Sequence, residues 1–320
     1  MKQLIIREFE KQDLEEVLES IKQSFSNQFE VEGYDPEIWR KIVNRRFSIP
    51  GKVLFIILKL LNKEPIKFFV ADADGKPVGT AMVEKHGKIG YIETVMVHPD
   101  FRQKGIATDL MKTAIDCLKK RKLNKAILHV LSDNHPAKNL YQKLGFKKFE
   151  DTQYLTAHIE TLTNPRNISA EVRNFRKSDL DEVYDLIRTS REPERLSVYD
   201  FEKTDLKTSL WQQVFRIGTS RKTVAVKDAK IVGYATTVFT STRLVGRITS
   251  IEAYLEMVSE GIEERLIQDG VDYLKARGSK TVLVTVPLAR KRIIERLVSL
   301  GFKKSYVMEG MVLESLDSTV

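Results

Sequence analysis

The chain has 320 residues, of which 42% are hydrophobic and 30% are charged. This length is typical of two domains that each bury a core, and the composition is typical of a soluble globular protein. The single cysteine, Cys117, excludes an intrachain disulfide framework and a metal site built from a cysteine cluster. The first residues contain no long apolar run, so we expect no signal peptide and a cytoplasmic protein.

The net charge is +9 and the pI is near 9.3, which raises the question of an anionic partner. The densest cationic run, residues 119–122, ends a predicted helix, where the helix dipole favours cations. The sequence shows no nucleic-acid-binding motif. We therefore expect no nucleic-acid and no membrane partner, because a small anionic ligand accounts for a basic surface equally well.

The region between residues 25 and 66 is predicted to be helical, because apolar residues recur on one face at Trp39, Ile42, Val43 and Phe47. The apolar run at residues 53–61 is interrupted by Lys59 and is too short to span a bilayer. We interpret it as a buried helix. A wall of an acceptor cleft and a helix on a membrane surface are the alternatives.

A predicted strand at residues 91–97 is followed by a glycine-containing loop at residues 102–108 and then by an apolar stripe with helical spacing. Gly105 permits backbone conformations that place N–H groups around an anion, and the start of a helix adds about half a positive charge. Arg102 and Lys104 add two cations. This combination suits a pyrophosphate group.

A second block follows in a fixed order: Leu128–Val130, then Asn134, then the run Leu140-Tyr-Gln-Lys-Leu-Gly-Phe146. Together with the loop, it resembles the two motifs of the GNAT superfamily of acetyl-CoA-dependent N-acetyltransferases. The loop positions that match the family pattern are Arg102, Gly105 and Ala107. The close resemblance covers about residues 67–150.

The chain also repeats itself. Ile6-Arg-Glu-Phe9 returns as Val172-Arg-Asn-Phe175, and Leu144-Gly-Phe-Lys-Lys148 returns as Leu300-Gly-Phe-Lys-Lys304. The offset of 156 residues between Leu144 and Leu300 also places Gly105 on Gly261. This register predicts that one fold has been duplicated.

The second copy lacks the residues that would bind the cofactor. Arg102 is replaced by Val258, and Ala107 is replaced by Glu263. The other replacements are Arg247 for Tyr91, Thr285 for His129, Arg290 for Asn134 and Leu297 for Tyr141. Carboxylates at Glu260, Glu263 and Glu264 would repel a pyrophosphate. We therefore predict that this copy does not bind CoA.

The predicted fold class is α+β, with two tandem GNAT-like domains that each contain a mixed, mostly antiparallel sheet flanked by helices. We expect a catalytic domain at residues 1–155, a linker at residues 156–170 and a degenerate domain at residues 171–320. The second domain would shape the acceptor cleft or a homodimer.

The resemblance implies acetyl-CoA as the co-substrate and no metal. In the family, pantetheine inserts between the two strands that precede and follow the loop helix, and a backbone N–H of the first strand stabilises the oxyanion. Asn134 would contact pantetheine, cap the following helix, or do both. The positions implied to hold the cofactor are Val95, Met96, Val97, Arg102, Gln103, Lys104, Gly105, Ile106, Ala107, Thr108, Asn134 and Tyr141.

The resemblance places Tyr141 where the family's usual acid lies; a packed aromatic ring is the alternative. Tyr91 and His129 resemble the Tyr/His pair of one branch of eukaryotic N-terminal acetyltransferases, and Glu93 is the competing base. Tyr91, Glu93 and Val95 share one strand face if no bulge intervenes. We assign no role to three further histidines that we place in turns: His86, His98 and His135.

The expected activity is transfer of an acetyl group to a primary amine by direct attack in a ternary complex. The acceptor would be a peptide α-amine or a small metabolite such as an aminoglycoside, a polyamine or a cysteinyl pseudo-disaccharide. Acidic residues would suit a cationic amine, or would form a solvated loop, at Glu30, Glu32, Asp35 and Glu37. A non-catalytic acetyl-CoA-binding regulator is the alternative function.

Overall fold

The computed structural model describes residues 4–24, 36–60, 66–163, 170–206, 219–239, 245–254 and 260–316. These residues form two compact units. The first unit contains the described residues from 4 to 148 together with 310–316, and the second contains those from 149 to 309.

The first unit contains a sheet with helices on both faces. Its strands are β1 (Leu4–Glu8), β2 (Ile66–Ala73), β3 (Lys76–His86), β4 (Ile89–Val97) and β5 (Lys125–Leu131), adjacent in that order. Neighbouring strands are antiparallel except β4 and β5, which are parallel. The described helices are α1 (Leu14–Ser24), α2 (Pro36–Phe47), α3 (Ile49–Leu60), α4 (Ile106–Lys120) and α5 (His135–Lys143).

Two hydrophobic clusters cover the two faces of this sheet. The α4 cluster, built around Leu110, Met111 and Leu118, packs against one face. On the other face, the α1 cluster joins Val17 and Ile21 to side chains of α2 and β2. At Gly90 of β4, a Cβ atom would lie 2.2 Å from Leu118, so glycine is required for the close approach of α4. The predicted helix through Trp39 and Phe47 is confirmed as α2.

The second unit repeats this arrangement. Its strands lie in the order β12 (Lys303–Leu313), β6 (Lys147–His158), β11 (Thr281–Pro287), β10 (Val245–Ala253), β9 (Lys230–Phe239), β8 (Thr219–Lys227) and β7 (Glu171–Asn174), and only the first residues of β6 and the last of β12 fall outside the unit. The described helices are α6 (Leu180–Ser190), α7 (Pro193–Tyr199), α8 (Ile262–Lys275) and α9 (Lys291–Ser299).

The duplication is visible in individual contacts. The Arg7 guanidinium donates to Asp13 at 2.7 Å, and the Arg173 guanidinium donates to Asp179 at the same distance. Gly105 and Gly261 each precede a helix with positive φ, at 82° and 78°. The predicted duplication of one α+β fold is therefore confirmed.

The compact units do not follow the domain boundaries predicted at residues 155 and 171. Residues 152–158 of β6 pair with β11 in the second unit. The side chains of Met311, Leu313 and Leu316, near the C-terminus, are buried in the α4 cluster of the first unit. The predicted linker is also different, because its first residues belong to β6 and Ile159 is buried. Asn164 and Pro165 lie outside the described residues.

The physical reason is that an alternation of apolar and polar residues predicts which face of a strand is buried, but it does not predict the neighbouring strands. A strand with one apolar face can pack against the core of either unit. Burial alternates toward the end of β6, whereas the last five residues of β12 are all buried, and only the tertiary structure decides the partners of both strands.

Candidate active site

Strands β4 and β5 stop pairing in the middle of the first unit. Their parallel register runs from Ile89 opposite Lys125 to Tyr91 opposite Ile127, and no further β4–β5 pair follows among the described residues. Just beyond this point, Thr94 has a φ of 52°, and the β3–β4 register shifts by one residue. This is a β-bulge, which turns one strand away from its neighbour.

The bulge is held by a buried threonine. The Thr80 hydroxyl on β3 donates to the Thr94 carbonyl at 2.8 Å. Thr80 is fully buried, so water does not compete for this bond. The bulge therefore has a defined geometry at the point where β4 leaves β5.

The bulge corrects one expectation about β4. The sequence placed Tyr91, Glu93 and Val95 on one face, provided that no bulge intervened. A bulge does intervene, and Val95 packs against the α4 cluster. The extra residue reverses the alternation of side chains. Tyr91 and Glu93 remain together on the opposite face from Ile92, whose side chain lies in the α4 cluster.

His129 lies on the same face as Tyr91 and Glu93. On β5, the side chains of Leu128 and Val130 lie in the α4 cluster, so alternation places Ile127 and His129 on the other face. Ile127 pairs with Tyr91, and Glu93 and His129 are each two residues further along. Both are exposed, whereas Tyr91 is half-buried. The three candidates for the base therefore lie on one face of the sheet at the start of the gap.

His86 is a neighbour of this group that the sequence did not identify. It ends β3 rather than lying in a turn. Its ring packs edge-on against Tyr91, with 5.0 Å between ring centroids, and its Nε2 lies 3.0 Å from Glu84 Oε1. The β3–β4 hairpin could have indicated this contact. Glu84 pairs with Tyr91, and His86 lies two residues further along β3, on the same face and diagonal to Tyr91.

Tyr141 lies on α5 and is buried, with 7% of its surface exposed. Its ring belongs to the α4 cluster and lies 6.2 Å from the Phe146 ring. Burial raises the pKa of Tyr141 to about 12. The hydroxyl therefore stays protonated at neutral pH, which suits a proton donor and excludes a base. The packing interpretation is confirmed, and it is compatible with the acid role.

The glycine loop leads into α4 without a side-chain cap. Gly105 is the N-cap residue, and its carbonyl accepts from the Asp109 N–H at 3.1 Å. The first N–H groups of a helix have no partner within the helix. A Cβ atom at Gly105 would meet no atom within 4 Å, so the start of this helix is open. Such a helix start is suited to an anion.

The loop cations donate to backbone carbonyls that precede the loop. Arg102 Nε donates to the Val97 carbonyl at 3.1 Å, and Lys104 Nζ donates to the Asp100 carbonyl at 2.9 Å. Both residues are exposed beside Gly105. Asn134 caps α5, since its side chain accepts from the Ala137 N–H at 3.3 Å. The capping alternative for Asn134 is therefore confirmed.

The corresponding turn of the second unit is closed by its own acidic residues. Glu263 and Glu264, in the first turn of α8, are only 2% and 6% exposed. Glu263 pairs with Arg290, and Glu264 Oε1 pairs with Arg296 at 3.0 Å. Gly261 is itself buried, unlike Gly105. The carboxylates thus take the place of an anion at this helix start.

Charged side chains also fill the strand gap of the second unit. A small cavity there is lined by residues of β10 and β11 together with Arg195 and Arg290. Arg290 stands where the first unit has Asn134, and burial lowers its pKa. The buried ion pairs are Arg191 with Glu252 at 2.7 Å, Arg195 with Glu150 at 2.9 Å, and Arg290 with Glu263. Three arginines and three glutamates balance one another within this unit.

The described part of the chain contains no group of three histidine, cysteine, aspartate or glutamate side chains arranged to hold a metal ion. None of its helices is both long enough and apolar enough to cross a membrane.

Comparison with known proteins agrees with this geometry. The acetyltransferase (GNAT) family model matches residues 14–146. An uncharacterized N-acetyltransferase of Methanocaldococcus jannaschii is 30% identical over 158 residues, which are 47% of this chain and 63% of that protein. An acetyltransferase of Pectobacterium atrosepticum is 36% identical over 91 residues, 28% of this chain and 64% of that protein. The chain thus spans less than two thirds of these relatives.

Solved structures share the fold over almost the whole chain. A tandem GNAT protein from the clavulanic acid biosynthesis pathway has a TM-score of 0.61, with 15% identity over 98% of each chain. A GCN5-related N-acetyltransferase from Sphaerobacter thermophilus has a TM-score of 0.64, with 16% identity over 99% of this chain and 97% of that one. Residues 14–146 therefore match the acetyltransferase (GNAT) family model, and the whole chain shares the fold of these solved structures.

Proposed function

We propose that the chain is an acetyl-CoA-dependent N-acetyltransferase whose first unit performs the reaction. The observation that carries this proposal is the contrast between the two units. In the first, the start of α4 is uncapped and open. In the second, Glu263, Glu264 and Arg290 close the equivalent place with buried ion pairs.

The residues of the first unit fit acetyl-CoA. The open start of α4 at residues 105–108, with Arg102, Gln103 and Lys104, would hold the pyrophosphate. Backbone groups of Val95, Met96 and Val97 follow the bulge at the strand gap, where they would pair with the pantetheine arm. Bound there, acetyl-CoA supplies an activated thioester carbonyl. A backbone N–H of β4 would stabilise the oxyanion that forms from it.

The acceptor amine must lose a proton before it attacks. Histidine is the residue type that most often moves protons in enzymes. His129 shares a face with Tyr91 and Glu93 at the strand gap. We assign the base to the Tyr91/His129 pair acting through a water, with Glu93 as the competing base. Tyr141, protonated at neutral pH, would donate a proton or hydrogen bond to the departing thiolate.

The proposed acceptor is a primary amine, either a peptide α-amine or a small metabolite. Of the acidic residues considered for a cationic amine, Glu30, Glu32 and Asp35 lie outside the described residues. Glu37 pairs with Arg40 at 2.6 Å, so its charge is balanced locally. This pairing removes Glu37 from the residues that argue for a cationic acceptor.

The test is acetyl-CoA turnover with a panel of amines, read out as thiol release, together with calorimetric titration. We expect turnover and one acetyl-CoA per chain. Two equivalent sites per chain would contradict the roles of the units. Binding of acetyl-CoA without turnover of any amine would favour a non-catalytic regulator instead.

A further inference from the structure

Helix α3 exposes an apolar stripe. Ile49, Val53 and Ile56 are 82%, 53% and 59% exposed, the three highest values among the large hydrophobic side chains that the structure describes. Their spacing of four and three residues places them on one side of the helix. The sequence-based interpretation of a buried helix is therefore wrong for Val53 and Ile56. Exposed apolar stripes of this kind mark an interaction surface.

The position of α3 is defined by the corner that connects it to α2. A Cβ atom at Gly51 would lie 2.0 Å from the Arg45 carbonyl oxygen, so only glycine permits this corner. The Ser48 hydroxyl donates to the same carbonyl at 2.7 Å. On α2, the side chains of Val43 and Phe47 pack in the α1 cluster, which anchors the pair of helices to the first unit.

The charge around the stripe is strongly positive. Residues 38–63 contain seven Lys or Arg residues and no Asp or Glu. Arg40 pairs with Glu15 and Glu37, at 2.6 Å each. Lys41, Arg45 and Lys52 are exposed. A partner for this surface must therefore be both anionic and apolar.

We propose that α2 and α3 form a docking surface for an anionic lipid bilayer. An apolar stripe beside lysine and arginine is the pattern of a helix that lies in the membrane interface. The α3 helix has 12 residues and is about 18 Å long, so it lies on a bilayer rather than crossing it. Nucleic acid would use the cations but leave the stripe exposed, and a second copy of this surface would bring like charges together.

The test is co-sedimentation of the full chain with vesicles, without acetyl-CoA. We expect binding to vesicles of equal parts phosphatidylcholine and phosphatidylglycerol, weaker binding at high salt, and little binding to phosphatidylcholine alone. Replacing the stripe by Ile49→Ser, Val53→Ser and Ile56→Ser should reduce the partition coefficient about tenfold or more. Lys41→Glu with Lys52→Glu should also weaken it.

The matched control is Ile5→Ser with Val298→Ser, two exposed apolar residues that belong to β1 and α9 rather than to α2 or α3, and it should bind as the unchanged chain does. Because the stripe is exposed, the triple variant should keep its melting temperature. Unchanged vesicle binding by the triple variant would overturn the proposal. So would a dimer in analytical ultracentrifugation that the triple variant dissociates, or binding to DNA in place of vesicles.

Discussion

The exposed face of β4 and β5 carries three side chains that compete for one role. Tyr91, Glu93 and His129 lie on the same face at the start of the strand gap, and the proposed base is either the Tyr91/His129 pair or Glu93. His86 packs against Tyr91 from the end of β3. Substitution of single side chains can separate these roles, because each change leaves the backbone of the gap in place.

If Tyr91 and His129 hold one water, Tyr91→Phe and His129→Ala should each lower kcat by roughly 10²-fold or more. The double variant should lower kcat little more than either single change does, since the two residues act as a unit. Acetyl-CoA affinity should hardly change. Steady-state kinetics with calorimetric titration would measure both quantities.

Glu93→Gln and His86→Ala serve as comparisons, and each should lower kcat only mildly. Loss of turnover in Glu93→Gln, with His129→Ala still active, would transfer the base to the carboxylate. His129 would then be only an exposed strand residue.

The Thr80 hydroxyl should affect both stability and activity, because it stabilises the bulge in β4. In Thr80→Val the Thr94 carbonyl loses its bond, which should cost about 1 kcal/mol of folding free energy. Because the same bond orients the backbone of residues 95–97, kcat should fall and the KM for acetyl-CoA should rise. Thr80→Ser should restore both values.

Thr223→Val is the matched control, because Thr223 is also buried and its hydroxyl donates to the Ala235 carbonyl at 3.5 Å in the second unit. It should change stability alone. Kinetics of Thr80→Val identical to those of the unchanged chain would show that the bulge does not depend on this bond.

At the scale of elements, two helices with nearly the same N-terminal geometry differ in what occupies their first turn. The start of α4 is open at Gly105, whereas Glu263 and Glu264 are buried at the start of α8. The difference between the units therefore lies in side-chain charge, since φ of the preceding glycine is nearly the same in both.

Gly105→Glu should abolish acetyl-CoA binding, because it places a carboxylate and a side chain where phosphate must approach the backbone. Gly75→Glu is the matched control. Gly75 has a φ of 84° against 82° for Gly105, and a Cβ atom at either position meets nothing within 4 Å. Both variants carry the same backbone strain, so only their affinities, measured by calorimetry, should differ.

Equal loss of affinity in Gly105→Glu and Gly75→Glu would mean that strain, rather than the phosphate site, is responsible. Gly261→Glu is a poorer control than Gly75→Glu, because Gly261 is buried and its replacement would disturb packing.

At the scale of the whole molecule, the first unit depends on residues from the end of the chain. Met311, Leu313 and Leu316 are buried in the α4 cluster, beside which the candidate site is built. All candidate site residues nevertheless lie before residue 155. A chain ending at residue 155 would keep every one of them and lose this part of the core.

We expect such a truncated chain to lose cooperative unfolding and acetyl-CoA binding. Each lost large side chain removes about 2–5 kcal/mol, and a domain has only about 5–15 kcal/mol in total. Thermal unfolding and hydrogen exchange of β4 and α4 would measure this. Met311→Ala with Leu313→Ala in the full chain should weaken the first unit in the same direction. If β4 and α4 of the truncated chain were as well protected from hydrogen exchange as in the full chain, the predicted domain boundary at residue 155 would be correct.

The sequence by itself determined the resemblance to the acetyltransferase (GNAT) family, the duplicated α+β fold, the glycine loop and the acidic turn that distinguishes the second copy. These follow from local patterns, since the residues around Gly105 and Gly261 act within one turn of a helix. Only the tertiary structure decided that β6 belongs to the second unit, that Val95 turns away at the bulge, that His86 contacts Tyr91 and that the α3 stripe is exposed. The physical reason is that strand partners, bulges and exposure depend on residues distant in the chain, which the alternation of apolar and polar residues does not specify.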